Sequence, residues 1–198
     1  MHVLLFGGTG RTGKLIAQCL LAAGHAVTAA GRRDPQIPGI PYRQVDLSDA
    51  EDVIKAAQGV DAVVSALASA KGNPVCSGVA RALTGQDGLR FVTIGGAGVD
   101  MSGDQKGLSD RLIGWVMRRV VPEMLADRQA EFDILQQSRL RWTMLRPPRL
   151  TDKHAKGVVK ISFDRPASAA ISRADLAQAV VDTLTDDTLV SRAPFVAG

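Results

Sequence analysis

A glycine-rich segment near residue 10 constrains the fold of this 198-residue chain more than any other feature. The segment reads Gly7-Gly8-Thr9-Gly10-Arg11-Thr12-Gly13. An apolar run at residues 3–6 precedes it, and residues 11–23 carry apolar side chains at helical spacing. A buried strand, a tight glycine turn and a helix in this order are typical of the first unit of a Rossmann fold, where amides at the helix start bind a pyrophosphate. We therefore expect a dinucleotide site here, with a purely structural turn as the alternative.

Strand and helix patterns alternate along the rest of the chain. Further strands are predicted at residues 26–30, 43–45, 60–66, 90–94 and 142–145, with a small edge strand at 158–161. Helices are predicted at residues 74–83, 108–120 and 123–137, and two more begin at the capping boxes Ser48-x-x-Glu51 and Ser172-x-x-Asp175. This alternation predicts the α/β class, with a Rossmann-like doubly wound parallel sheet in a single domain over residues 1–198. The carboxyl ends of the strands then meet at one edge, where ligands bind.

The end of the second predicted strand bears on which dinucleotide binds. A site for NAD usually has a carboxylate there for the ribose 2′-hydroxyl, whereas this chain has Arg32 and Arg33. Two cations favour a 2′-phosphate, so we expect NADPH rather than NADH. Asp34 follows directly and could weaken this preference by pairing with one of the arginines.

The ends of the third and fourth predicted strands also fit a dinucleotide. Asp46 could accept a hydrogen bond from the adenine amino group while Leu47 covers the base, or Asp46 could only cap the following turn. Both interpretations stay open at this point. The segment Ala66-Leu67-Ala68 is rich in small residues, which would let the dinucleotide cross the edge of the sheet.

Composition and charge argue against several other classes of protein. The formal net charge of +4 is spread along the chain without a nucleic-acid reading motif, so we expect no nucleic-acid partner. No apolar run reaches the roughly 18 residues that cross a membrane. The first strand pattern begins at His2 and leaves no room for a signal peptide, so we expect a cytoplasmic protein. Cys19, Cys76 and three dispersed histidines predict neither a metal site nor a disulfide framework.

These motifs together resemble one family. Segments 6–13, 27–32, 61–64, 95–98, 146–148 and 171–176 are similar to the atypical short-chain dehydrogenase/reductase group that contains biliverdin IXβ reductase/flavin reductase and bacterial proteins provisionally called NADH-flavin reductases. The resemblance covers nearly the whole chain and implies a Rossmann-like fold. It also implies NAD(P)H contacts at Gly7, Thr9, Gly10, Arg11, Thr12, Arg32, Asp46, Leu47, Ala66, Leu67, Arg149 and Leu150. Gly13, Arg33 and Ala68 complete the cofactor site that we predict.

The candidate catalytic residues are few. The only tyrosine is Tyr42 and position 46 is aspartate, so the tyrosine and lysine pair by which the wider superfamily reduces ketones is absent. The resemblance implies a serine and a histidine in the substrate pocket, but this chain has Gly96 and Arg149 there. Arg128 lies near the place of a lysine or histidine in related folds. It could contact the nicotinamide ribose, or it could be a solvated helix arginine paired with Glu131 or Asp127.

The absence of a proton donor favours an acceptor that does not need one. Reduction of a flavin, a quinone or a similar planar conjugated molecule spreads the negative charge over a ring, and solvent can supply the proton. We therefore predict an NAD(P)H-dependent reductase of such an acceptor, with Arg128 and Arg149 as the only catalytic candidates. The alternative is a non-catalytic NAD(P)H sensor of the NmrA type, and a nucleotide-sugar epimerase is a weaker third. The helix around Leu112, Ile113 and Trp115 is apolar on more than one face and could form a lid or a dimer contact, so we expect a monomer or homodimer.

Overall fold

The computed structural model describes residues 1–69, 72–105 and 107–198. Its strands are β1 (His2–Phe6), β2 (Ala26–Gly31), β3 (Tyr42–Gln44), β4 (Ala62–Ser65), β5 (Arg90–Ile94), β6 (Arg141–Leu145), β7 (Arg149–Thr151), β8 (Lys160–Ser162), β9 (Ala170–Ser172) and β10 (Phe195–Ala197). Its helices are α1 (Arg11–Ala22), α2 (Ala50–Ala56), α3 (Val75–Leu83), α4 (Leu108–Val120), α5 (Pro122–Gln137) and α6 (Arg173–Thr183), with a 3₁₀ helix at Asp187–Leu189. The side chains of residues 108–113 are outside this description, so the predicted apolar positions Leu112 and Ile113 lie outside the described residues.

Six of these strands form one parallel sheet in the order β3-β2-β1-β4-β5-β6. The order reverses between β1 and β4, as in a doubly wound Rossmann sheet, so the predicted fold class is confirmed. Alternate residues of β1 point to opposite faces of the sheet, and helices cover both faces. Leu4 and Phe6 pack towards α2, α3 and α5, whereas Val3 and Leu5 pack towards α1 and α6.

The start of α2 differs from the prediction. Asp49, not Ser48, is the N-cap, and its carboxylate accepts from the amides of Glu51 and Asp52. Ser48 is turned back and donates its hydroxyl to Asp46 Oδ1 at 2.6 Å. The predicted capping box at residue 48 is therefore wrong. Ser48 and Asp49 are both good N-cap residues, but the Ser48 side chain is already bonded to Asp46, so Asp49 caps the helix.

The start of α6 agrees better with its capping box. Ser172 is the N-cap and accepts from the Asp175 amide at 3.0 Å. The Asp175 carboxylate does not return to the Ser172 amide, however. It accepts from the amides of Lys156 and Gly157 at 3.0–3.1 Å and so fastens the segment before β8 to the helix.

The last third of the chain closes the β6 edge of the sheet. The Met144 and Arg146 amides donate to Arg192 O and Pro194 O at 3.1 and 2.8 Å. The predicted edge strand at 158–161 is present as β8, which pairs antiparallel with β10 outside the main sheet. The short parallel pair of β7 with β9 was not predicted, and it carries Arg149 and Leu150.

Candidate functional site

The glycine loop is packed so closely that side chains are excluded at two positions. Gly7 has a φ of +85°, and a Cβ atom there would lie 2.5 Å from Ala66 O. A Cβ atom at Gly13 would lie 2.1 Å from Gly7 O. Both positions therefore need glycine, one for its backbone conformation and the other for close packing of α1 on the loop. The Gly10 amide donates to Gly7 O at 3.0 Å and closes the turn.

The loop leaves the first turn of α1 without a capping group. Gly10 is the N-cap, so it supplies no side-chain hydrogen bond, and the first turn of α1, which is wholly described, contains no acidic residue. Thr9, Gly10 and Arg11 are exposed and Thr12 is half-buried. Helix amides without an internal partner, together with the positive end of the helix dipole, form a site that fits a pyrophosphate.

A groove runs from the glycine loop to the end of β2. Its lining residues are Gly7, Gly8, Thr9, Ala29, Ala30, Gly31, Arg32, Arg33, Pro35, Leu47 and Leu67. Arg32 and Arg33 are exposed at its mouth, and neither makes an ion pair with a carboxylate in the described ranges. Asp34 instead accepts from the Gln36 amide at 2.7 Å. The interference that Asp34 could have caused is thus not seen, and both guanidinium groups are available to an anion.

Asp46 takes part in a turn at the end of β3. Its Oδ1 accepts from the Ser48 amide at 2.9 Å as well as from the Ser48 hydroxyl. These two hydrogen bonds, more than the nearby charge of Arg32, hold the pKa of Asp46 below its usual value. Of the two interpretations of Asp46, turn capping is the one that its hydrogen bonds support. Leu47 remains half-buried and lines the groove.

A charge cluster joins the start of α1 to the end of β7, with Arg11 and Asp152 exposed and Arg173 largely buried. Asp152 Oδ2 lies 2.9 Å from Arg11 Nη1, and Asp152 Oδ1 lies 2.7 Å from Arg173 Nη1. The cluster brings the end of β7 beside the first turn of α1. Leu150 packs on the core between α1 and α6, whereas Arg149 is exposed. Both residues therefore lie at the carboxyl edge of the sheet, as predicted.

The segment after β5 forms a floor with few side chains. The Gly95 amide donates to Leu145 O and the Ala97 amide donates to Pro147 O, both at 2.8 Å, so the segment is fixed to the strand beside it. Gly96 has a φ of +116°, and nothing lies within 4 Å of the place where its Cβ would be. The floor at Gly96 is therefore open, in the place where the resemblance implies a pocket serine.

A buried ion pair between Arg146 and Asp104 packs against this floor, where Arg146 also donates to Val99 O. Arg146 is fully buried, and its guanidinium makes two hydrogen bonds with Asp104, at 2.8 and 2.9 Å. Its Nε donates to Ala193 O at 2.7 Å, and the group stacks on Phe195 at 3.8 Å. In the sequence, Arg146 is recognisable only as part of a family motif. A charged residue that directly continues a buried strand was the available sign that a partner must exist.

Arg128 lies inside the molecule rather than on a solvated helix face. Its Nη1 is 2.6 Å from Glu131 Oε2, its Nη2 donates to Leu67 O, and both side chains are buried. The hydroxyl of Thr93 donates to Glu131 Oε1 at 2.7 Å. Burial by itself lowers the pKa of Arg128, but nearby anionic groups, Glu131 foremost, outweigh it and raise the pKa above the usual value. The predicted pairing with Glu131 is present, and the predicted solvent exposure is wrong.

The neighbouring Asp127 caps another helix. Its two oxygens accept from the amides of Cys76 and Ser77 at 3.0 Å, and the hydroxyls of Ser69 and Ser77 also donate to it. Burial alone would raise its pKa, but these hydrogen bonds dominate and lower it. The Cys76 thiol beside it is buried, which raises its pKa to about 12 and makes it inert as a nucleophile.

The described ranges lack two further kinds of feature, a metal cluster and a helix that could span a membrane. Within them, no group of three or more histidine, cysteine, aspartate or glutamate residues is placed to hold a metal ion. Among the helices described, none combines the length and the apolar character needed to cross a bilayer.

Comparison with known proteins places this site in a family. A family model described as NAD(P)H-binding matches residues 7–187. Among solved structures, ChuY, an anaerobillin reductase from Escherichia coli O157:H7, is 20% identical with a TM-score of 0.81, covering 100% of this chain and 97% of that one. A protein provisionally named an NADH-flavin reductase, from Streptococcus pneumoniae TIGR4, is 21% identical with a TM-score of 0.81, covering 100% and 99%. A short-chain dehydrogenase/reductase from Veillonella parvula DSM 2008, in complex with NADP, is 20% identical with a TM-score of 0.79, covering 100% and 94%.

Proposed function

The chain belongs to this NAD(P)H-binding family, and from that premise we propose that it is an oxidoreductase that transfers hydride to a planar conjugated acceptor such as a flavin or a quinone. The observation that carries the proposal is the open space at Gly96, which follows β5 one strand away from the β4 edge where Leu67 lines the groove, with glycine in the place of the pocket serine that the resemblance implies. A flat ring can lie on such a floor, whereas a ketone needs an acid beside its oxygen.

The residues of the chain bind and orient rather than react. The amides at the start of α1 would hold the pyrophosphate, and the main-chain hydrogen bonds of Gly95 and Ala97 keep the floor in place. NADPH supplies the hydride when it is bound, and the overall reaction consumes one NADPH and one proton for each two-electron reduction of the acceptor. Placing two rings in contact provides the rate enhancement mainly through proximity.

NADPH is the proposed cofactor rather than NADH. Arg32 and Arg33 are exposed beside the groove, where a 2′-phosphate on the adenine ribose would lie, and within the described part of the chain neither has an ion-pair partner. Asp46, which follows β3, uses its Oδ1 in the turn with Ser48, and the end of β2 carries arginines where a site for NAD usually has its carboxylate. The charge at the mouth of the groove therefore supports a phosphorylated ribose.

Arg149 is the proposed contact for an anionic acceptor. It follows Pro147 and Pro148, which border the glycine floor, and no ion pair of Arg149 occurs in the described ranges. An exposed guanidinium at that place suits an acceptor that carries a phosphate or a carboxylate, for example FMN rather than riboflavin.

Oxidation of NADPH and NADH by the purified protein tests the proposal, with FMN, riboflavin and a soluble quinone as acceptors. We expect turnover faster than the reaction in free solution, and its loss in Gly10→Asp, because a carboxylate at the start of α1 repels the pyrophosphate. Gly85→Asp is the matched control, since Gly85 is exposed, has open space around it and lies at the opposite edge of the sheet. Binding of NADPH without turnover of any acceptor would favour the NmrA-type sensor instead.

A further inference from the structure

The buried pair of Arg128 and Glu131 lies behind the cofactor groove. Both side chains project from α5, and the pair meets the sheet at two neighbouring strands. Arg128 donates to the main-chain oxygen of Leu67, just after β4, and Glu131 accepts from Thr93 in β5. The pair therefore joins one helix to the carboxyl edge of the sheet, where the cofactor is expected.

The main chain of Leu67 is in contact with the glycine loop. A Cβ atom at Gly7 would lie 2.5 Å from Ala66 O and 3.0 Å from Leu67 N, so the two segments touch without intervening side chains. The side chain of Leu67 lines the groove while its carbonyl oxygen is turned away towards Arg128. Leu67 O belongs to the peptide group that follows the one in contact with Gly7, so a shift of the main chain at Leu67 would move both the groove wall and its contact with the glycine loop.

We propose that Arg128 and Glu131 are positioning residues, which fix the main chain at Leu67 in the position that cofactor binding requires. The proposal rests on the dinucleotide site of the proposed function, but not on the identity of the acceptor. Arg128 has only 7% of its side chain exposed, and its two terminal nitrogens are engaged by Glu131 and Leu67 O, so it acts through the main chain rather than on a substrate.

The double substitution Arg128→Met with Glu131→Leu separates positioning from stability. A buried ion pair can often be replaced by apolar residues of similar volume without loss of stability, because both desolvation penalties disappear together. We therefore expect a Tm only a few degrees below that of the unsubstituted protein, since Leu67 O loses its donor and the Thr93 hydroxyl its acceptor while both buried charges are removed. The dissociation constant for NADPH, measured by fluorescence titration without acceptor, should rise about tenfold, because Leu67 O has lost its donor.

Two further variants complete the experiment. Arg128→Lys keeps the positive charge but replaces the two terminal nitrogens of the guanidinium with a single ammonium group. Because that group cannot bond to Glu131 and Leu67 O in the same way, we expect the same weakening of NADPH binding. Arg90→Met is the matched control, since Arg90 is equally buried but bonds to Thr183 O and Leu184 O away from the groove. It should lower the Tm and leave NADPH affinity unchanged.

The steady-state constants give an independent readout. A positioning role predicts that the KM for NADPH rises while kcat at saturating NADPH is largely kept. Unchanged NADPH affinity in both the double variant and Arg128→Lys would overturn the proposal and leave the pair a purely structural link. Failure of the unsubstituted protein to reduce any acceptor, with the shift in NADPH affinity still present, would overturn only the reductase.

Discussion

Gly13 is the position where the glycine loop is least able to accept a side chain. A Cβ atom there would lie 2.1 Å from Gly7 O, whereas Cβ atoms essentially never come within 3.0 Å of another heavy atom. Because Gly7 O is a main-chain atom that accepts the Gly10 amide, no rotation of a side chain can relieve the clash. In Gly13→Ala the first turn of α1 must therefore move away from β1 by about 1 Å.

This displacement acts directly on the proposed pyrophosphate site. Misplacement of binding groups by about 1 Å can cost about 100-fold in function, so we expect the dissociation constant for NADPH to rise by about that factor. Overpacking of this kind also costs about 1–3 kcal/mol of stability. For a chain of this size, that corresponds to a fall in Tm of roughly 2–4 °C for each kcal/mol.

Fluorescence titration with NADPH and a thermal melt of the same samples measure both effects. Gly78→Ala is the control, because Gly78 lies in α3 with nothing within 4 Å of its Cβ position, and alanine there should leave NADPH affinity unchanged. It should also stabilise the helix by about 0.5–1 kcal/mol. If Gly13→Ala binds NADPH as well as the unsubstituted protein does, the close packing of the loop is not what forms the site.

Four other predictions address separate features of the molecule. Arg32→Gln should reduce the preference for NADPH over NADH about tenfold by weakening NADPH alone, and equal loss for both cofactors would contradict the assignment of the 2′-phosphate site. Arg149→Gln should lower kcat/KM for FMN several-fold more than for riboflavin, whereas a proportionate loss would argue against contact with the acceptor phosphate. Ser65→Ala should keep or raise the Tm, because the Ser65 hydroxyl is fully buried without a hydrogen-bond partner in the described ranges, and a clear fall in Tm would reveal a partner. Asp127 has a lowered pKa, so its stabilising effect is complete above its unfolded pKa of about 3.9 and is lost as the pH falls through the lower folded value; Asp127→Asn should flatten the dependence of Tm on pH below about 3.9.

The strands and helices could be predicted because their signals are local. The short apolar run at residues 3–6, the helical spacing of residues 11–23 and the glycine turns place β1, α1 and β2 to within a residue or two, and β5 matches its predicted bounds. The start of α2 was missed by one residue, since Ser48 and Asp49 are both good N-caps and only the turn at Asp46 decides between them. The local sequence pattern therefore predicts that a helix forms here but does not determine its first residue.

The parts that could not be predicted depend on contacts between distant segments. Arg146 pairs with Asp104 and bonds to Ala193 O, two partners more than 40 residues away in opposite directions. Arg128 is buried only because α5 packs on α3 and brings its guanidinium to Leu67 O, 61 residues earlier. A charged side chain in a sequence shows that a partner is required if it is buried, but the sequence does not say which residue supplies it.

The backbone at Gly96 adds a reason for the nature of the acceptor. Residues other than glycine rarely adopt a φ near its value of +116°. The amides of Gly95 and Ala97 on either side are held by hydrogen bonds to Leu145 O and Pro147 O. Gly96→Ser would therefore not simply restore a pocket hydroxyl, because the main chain would have to turn as well. An acceptor that fits this floor has to be reduced without a hydrogen bond from position 96, and that requirement is met most easily by a ring system that spreads its own charge.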